Sequence, residues 1–149
     1  MYVYSRSLGS YILMVLRTLT SKDLEFMACH SVSNGIAGET PETLDYTYTL
    51  EDDGFVLVIG GLKIVNLYTA WCWFDMSEYG KKKPIVVYRC MKEWLDFTAF
   101  DLNLKRLQCA VEPDFEEAIR TVRHLGFEQE SIMKNFFNDK DGLMFRRLF

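Results

Sequence analysis

"TAWCWFDMSEYGKKKPIVVYRCMKEWLDF", residues 69–97, carries an unbroken apolar run, a lysine turn and an amphipathic stretch in one sweep. Thr69 to Met76 holds too many large apolar residues in succession for a half-solvated strand, and predicts a central strand covered on both faces. Val87, Cys90, Met91, Trp94 and Leu95 then recur at i, i+3, i+4, i+7 and i+8, with Arg89, Lys92, Glu93 and Asp96 on the opposite side. That spacing predicts a helix from Pro84 to about Phe97, with Pro84 in the first turn, where its missing N–H has no helical partner to lose.

Downstream, "LKRLQCAV" (104–111) reads as a strand, and Asp114 with Glu117 as an acidic capping box. Phe115, Ala118, Ile119 and Val122 mark the apolar face of a short helix ending near Gly126. "ESIMKNFF", "NDKDG" and "LMFRRLF" close the chain as a hairpin. Upstream, "MVLRTLT" (14–20) alternates like a strand, and Thr20 or Ser21 caps a helix running to about Ser33. "NGIAGETPET" (34–43) is loop, and "YTYTL", "EDDG" and "FVLVIGGLKIV" form a hairpin over an Asp-Gly turn. The order β, α, β, β, β, α, β, α, β, β predicts a mixed α/β sheet with helices on both faces.

The chain has 149 residues, 49% of them apolar and 26% charged, which suits one domain spanning 14–149 preceded by an arm at 1–13. The apolar run in "SLGSYILMVL" (7–16) is too short to span a bilayer and lacks a small-residue cleavage site, so neither a membrane protein nor a secreted one is expected. A net charge of −4 argues against a surface built for nucleic acid, although Lys81 to Lys83 with Arg146 and Arg147 could form a local patch. Cys29, Cys72, Cys90 and Cys109 form no C-x-x-C pair and read as reduced thiols of a cytoplasmic protein. His30 and His124 have no partner ligands at metal spacing, so no metal is expected.

Residues 111–149, above all Leu125, Gly126 and Phe127, together with the element order from 14 to 149, resemble the GNAT superfamily of N-acetyltransferases. The resemblance implies a mostly antiparallel sheet flanked by helices, with its fourth and fifth strands, Thr69–Met76 and Leu104–Val111, splayed apart to receive acetyl-CoA. It also implies a pyrophosphate loop at Tyr79–Ile85. The family's loop reads Q/R-x-x-G-x-G/A. Here Tyr79 takes the first position, Lys82 and Pro84 replace the two glycines, and Pro84 has no N–H to donate. Trp73, Phe74, Asp75, Tyr79, Gly80, Lys81, Lys82, Lys83 and Ile85 are thereby the implied cofactor-binding residues, with lysine charge standing in for the amide cradle.

The family's general-acid tyrosine corresponds to Val122, so Asp75 and Glu112 are the candidate bases and Tyr79, with Tyr88 in reserve, the candidate acid. An amine, of a small molecule or a protein, would attack the thioester directly. Its site is expected in the variable segments 34–45 and 138–142. "MVLRTLTSKDLEFM", "GFVLVIGG", "CWF", the lysine loop and "LGF" also resemble, more loosely, the small internal virion (core) proteins of short-tailed bacteriophages. That likeness implies a non-catalytic protein of the same fold that binds a protein partner, in a host cytoplasm or a virion.

Overall fold

The computed structural model describes residues 2–4, 14–33 and 45–149. Its elements are β1 (Tyr2–Tyr4), β2 (Met14–Arg17), α1 (Ser21–His30), β3 (Tyr46–Asp52), β4 (Phe55–Asn66), β5 (Thr69–Met76), α2 (Glu78–Lys81), α3 (Pro84–Asp101), β6 (Arg106–Val111), α4 (Glu116–His124), β7 (Glu128–Phe137) and β8 (Lys140–Leu148). The strands form a mixed, mostly antiparallel sheet in the order β1-β2-β3-β4-β5-β6-β8-β7. The expected fourth and fifth strands are β5 and β6, because Tyr2–Tyr4 pairs antiparallel with Met14–Leu16 ahead of them. No helix among the described residues is long and apolar enough to cross a membrane.

The chain divides into two compact units, residues 1–63 with 73–90 and residues 64–72 with 91–149. In the first, Leu19, Met27, Val56 and Ile59 form a core against which Leu24, Phe26 and Trp73 pack. The Asp-Gly turn between β3 and β4 has both Asp53 (φ 49°) and Gly54 (φ 82°) in the left-handed region, as a tight twisted hairpin requires. Tyr48 pairs with Gly60 across this hairpin, and its ring occupies the space that a Cβ at Gly60 would fill. Arg17 of β2 joins Asp23 and Glu51, each at 2.7 Å. Burial favours protonation of Asp23, but hydrogen bonds from Arg17 and Thr20 outweigh it and hold the carboxyl below its ordinary value.

Seven consecutive residues of β4, Val56 to Leu62, are buried. The strand covered on both faces is therefore β4 and not β5, of which only Ala70 and Asp75 are buried. The second unit holds the start of β5. There β5 pairs parallel with β6 only at Thr69↔Arg106, Ala70↔Leu107 and Trp71↔Gln108, although both strands continue beyond that rung. Among the described residues the rungs between the two strands end at Trp71.

β6 then pairs antiparallel with β8, and β8 with β7. Met91, Leu95 and Ala99 supply the buried face of the later turns of α3, and Trp94 is half-buried. The expected capping box on α4 does not form. Phe115 is the N-cap residue, and Asp114 instead binds Lys140 at 3.0 Å. The Leu-Gly-Phe corner closes α4 as a Schellman motif. Gly126 (φ 88°) donates to the Arg123 carbonyl and Phe127 to that of Val122, each at 3.0 Å.

Candidate functional site

Most of the residues expected to form a site fall in the first unit, where β5 ends and α3 begins. Ser77 ends the strand. Its N–H donates to the Leu57 carbonyl at 3.0 Å, and its hydroxyl donates to the Val56 carbonyl at 2.5 Å and accepts from Gly80 N–H at 3.1 Å. That cap makes residues 78–81 a short helix, so the expected loop is helical over its first part. Gly80 is required there, since a Cβ would collide with the Leu57 carbonyl.

The same helix uses up the amides that a phosphate loop would offer. Besides Gly80, Lys81 N–H donates to Ser77 O (3.1 Å), Lys82 to Tyr79 O (3.2 Å) and Lys83 to Gly80 O (2.9 Å). Pro84 has no N–H. Tyr79 N–H, in the first turn of α2, has no acceptor among the described residues, and past Lys83 the next such amides are those of Ile85 and Val86, in the opening turn of α3. The three lysines also differ. Lys83 is ion-paired with Asp52 and Lys82 Nζ stands 5.5 Å from the Tyr79 ring centre, while all three side chains are exposed. The residues present fit a pyrophosphate held by two amides and lysine charge, not by a glycine cradle.

Tyr79 is enclosed by rings, with centroids 4.7 Å away for Phe55, 5.5 Å for His30 and 6.0 Å for Phe26. His30 Nδ1 in turn meets Glu78 Oε1 at 2.8 Å. Trp73 and Phe74 are half-buried, and Ile85 is exposed.

Asp75 is only 3% exposed. Its Oδ1 accepts from the hydroxyls of Ser31 (2.6 Å) and Ser33 (2.8 Å), while Oδ2 is buried with no hydrogen-bond partner among the described residues. Burial pushes its carboxyl above the ordinary 3.8, against the two serine hydroxyls and the Met76 backbone, which favour the ionised form. A buried carboxylate with one oxygen unsatisfied is costly to maintain and suits a proton acceptor awaiting a donor.

The serines escaped the sequence, because helix periodicity carried α1 on to Ser33. The helix stops at His30, and Ser31 (ψ 141°) is extended. The available signal was the spacing Ser-Val-Ser, two hydroxyls on one face of an extended segment.

Glu112 lies in the second unit, where Lys140 bridges it (3.3 Å) and Asp114 (3.0 Å). Val122 is buried in α4 and Tyr88 is half-buried. Segment 34–44, expected to contribute to the acceptor site, lies outside the described residues. Of the cysteines, Cys90 and Cys109 are buried, whereas Cys29 is exposed. No group of three His, Cys, Asp or Glu among the described residues is placed to hold a metal ion.

The fold is that of the GNAT N-acetyltransferases. The chain is similar to Ard1 from Thermoplasma volcanium, with a TM-score of 0.75 and 17% identity over 91% of this chain and 97% of that one. It is similar also to the ribosomal-protein-S18-alanine N-acetyltransferase from Escherichia coli (TM-score 0.70, 14% identity, 91% and 94% covered). A third likeness is to the N152L mutant of the spermidine N-acetyltransferase SpeG from Vibrio cholerae (TM-score 0.70, 17% identity, 91% and 93% covered). No family model matches the chain, and no curated protein matches its sequence.

Proposed function

We propose that this protein is an acetyl-CoA-dependent N-acetyltransferase acting in the cytoplasm, with Asp75 as the base that takes a proton from the acceptor amine. The observation that carries the proposal is the buried, unpartnered Oδ2 of Asp75 at the end of β5, on a fold whose solved relatives acetylate spermidine and protein alanine. A carboxyl raised above its ordinary range is better matched to accepting a proton near neutrality.

Acetyl-CoA, when bound, supplies the activated acyl group. Lys81 and Lys82 with the amides of Ile85 and Val86 hold its phosphates, and Gly80 keeps the turn that presents them closed. Trp73 and Phe74 provide apolar surface beside Asp75. Tyr79, locked among three rings, shapes the turn; a proton-donor role would require its hydroxyl to reach the leaving sulfur. Glu112 is the alternative base. The acceptor is an amine of a small molecule or a protein.

A second reading is a non-catalytic protein of the same fold that binds a protein partner, such as an internal virion component of a bacteriophage or a host-factor binder. The spent amides of Gly80 to Lys83 and the buried Val122 favour it. Calorimetric titration with acetyl-CoA separates the two. Acyl transfer requires that acetyl-CoA bind; held by lysine charge, it should bind weakly and fade as salt rises, because exposed ammonium charge is screened, and Pro84→Gly should tighten it by adding one N–H. Neither heat nor thermal shift at millimolar acetyl-CoA would leave the partner-binding protein. If turnover is found, Asp75→Asn and Glu112→Gln decide the base, which lowers turnover far more than cofactor affinity.

A further inference from the structure

The short segment that leaves α1 is laid against the end of β5. Val32 N–H donates to the Met76 carbonyl at 2.9 Å, and Ser31 forms an antiparallel bridge with Ser77. Continuing that register by two places sets Ser33 opposite Asp75. In extended chain, residues i and i+2 face the same way, so the Ser31 and Ser33 hydroxyls converge on one carboxylate oxygen, Oδ1. Ser33 N–H donates to Ser31 Oγ at 3.0 Å, and the single hydroxyl hydrogen of Ser31 has three acceptors in reach, of which Asp75 Oδ1 at 2.6 Å is nearer than the Ser33 carbonyl at 3.0 Å or Ser33 Oγ at 3.2 Å.

We propose that Ser31 and Ser33 are positioning residues that bind Oδ1 of Asp75 and thereby fix Oδ2 as the single oxygen offered to the acceptor's N–H. The assignment rests on the acyl-transfer function proposed above. Three features carry it: both hydroxyls meet the same oxygen, the other oxygen is buried without a partner, and the backbone bonds from Val32 and Ser31 hold the pair in place. A carboxylate serving only to close the end of β5 would share its two oxygens among the available donors. Here two hydroxyls crowd one oxygen, the Met76 backbone also favours the ionised carboxyl, and no donor stands within hydrogen-bond distance of the other oxygen among the described residues.

The pair also sets the proton affinity of Asp75. Burial raises it, and the serine hydroxyls, with the Met76 backbone, lower it. The ionisable groups on neighbouring elements, His30 with Glu78 and Lys83 with Asp52, are paired with each other, and no charged group contributes to the shift at Asp75. Deleting the hydroxyls therefore moves Asp75 further up, and the acid limb of kcat/KM, which follows deprotonation of the base, moves to higher pH with it.

The test is a carbon-detected NMR titration of the Asp75 carboxyl in the full-length chain, for wild type, Ser31→Ala, Ser33→Ala and the double variant, with Ser31→Thr as the conservative control. Each deletion should move the midpoint upward, the double variant furthest, while Ser31→Thr returns it toward wild type. Unchanged midpoints in folded single variants would overturn the assignment. If the double variant does not fold, the two single variants decide. This readout needs no turnover, so upward shifts in a protein that does not transfer acetyl groups would sustain the positioning role and sink the acyl-transfer function instead. Where turnover is present, the acid limb of kcat/KM should move with the NMR midpoint. A limb that stays in place while the midpoint moves would separate the serines from catalysis and overturn the proposal.

Discussion

Lys83 is ion-paired with Asp52, the last residue of β3, whose side chain is almost fully buried. Lys83 is thus tied to a buried carboxylate although its own side chain, like those of Lys81 and Lys82, is exposed. Lys83→Ala should destabilise the fold by about 1–3 kcal/mol, since it leaves a buried carboxylate without its donor. Lys81→Ala with Lys82→Ala should change stability by roughly 0.5 kcal/mol each or less, yet reduce acetyl-CoA binding. Urea denaturation and calorimetry on the two sets of variants check the division. Equal stability losses at all three positions would contradict it.

Asp75 should make the fold less stable as pH rises. Its carboxyl is raised above the ordinary 3.8 in the folded chain, so between those two values the folded state holds more protons there than the unfolded state. Stability then falls as pH climbs through that window, and the deficit persists above it. Asp75→Asn cannot titrate and should lose this slope, gaining on wild type toward neutral pH while losing turnover, a trade of stability against activity. Unfolding free energies of the two proteins from mildly acid to neutral pH provide the comparison, and parallel curves would show that Asp75 is not strained.

Gly80→Ala should destabilise by about 1–3 kcal/mol, the range for overpacking a closed site, because the new Cβ meets the Leu57 carbonyl and not a yielding side chain. The turn it disturbs carries the lysines, so acetyl-CoA binding should weaken as well. Thermal melts with and without acetyl-CoA measure both effects, and a variant as stable as wild type would show that α2 can shift away from β4 freely.

Removing residues 1–13 takes away β1, three residues paired at the edge with β2. A chain starting at Met14 should still fold cooperatively, with Tm lower by about 2–4 °C, the shift that about 1 kcal/mol produces at this chain length. Circular dichroism and a thermal melt suffice. Insoluble expression would mean that the arm is part of the fold.

The order of elements was legible in the sequence, because it is written in local features. The Asp53-Gly54 turn, Pro84 at the start of α3, the alternation of apolar residues at helical spacing and the Leu125-Gly126-Phe127 corner each act within a few residues of themselves. Burial of a whole strand was not. Val56–Leu62 and Thr69–Met76 look alike as apolar runs, yet the first is buried throughout and the second only at Ala70 and Asp75, a difference set by what packs on the faces of each strand and not by its own residues. The candidate site divides in the same way. Asp75, Gly80 and the lysines could be named from the chain, since their residue types and order are chemical signals in themselves. The loss of the loop amides to a turn capped by Ser77 is local, three residues from hydroxyl to Gly80, and the sequence held it. The choice of Lys83 for Asp52 and the convergence of Ser31 and Ser33 on one oxygen of Asp75 instead join residues tens of positions apart. Contacts of that range depend on how strands and helices are laid together, so only the tertiary structure determines them.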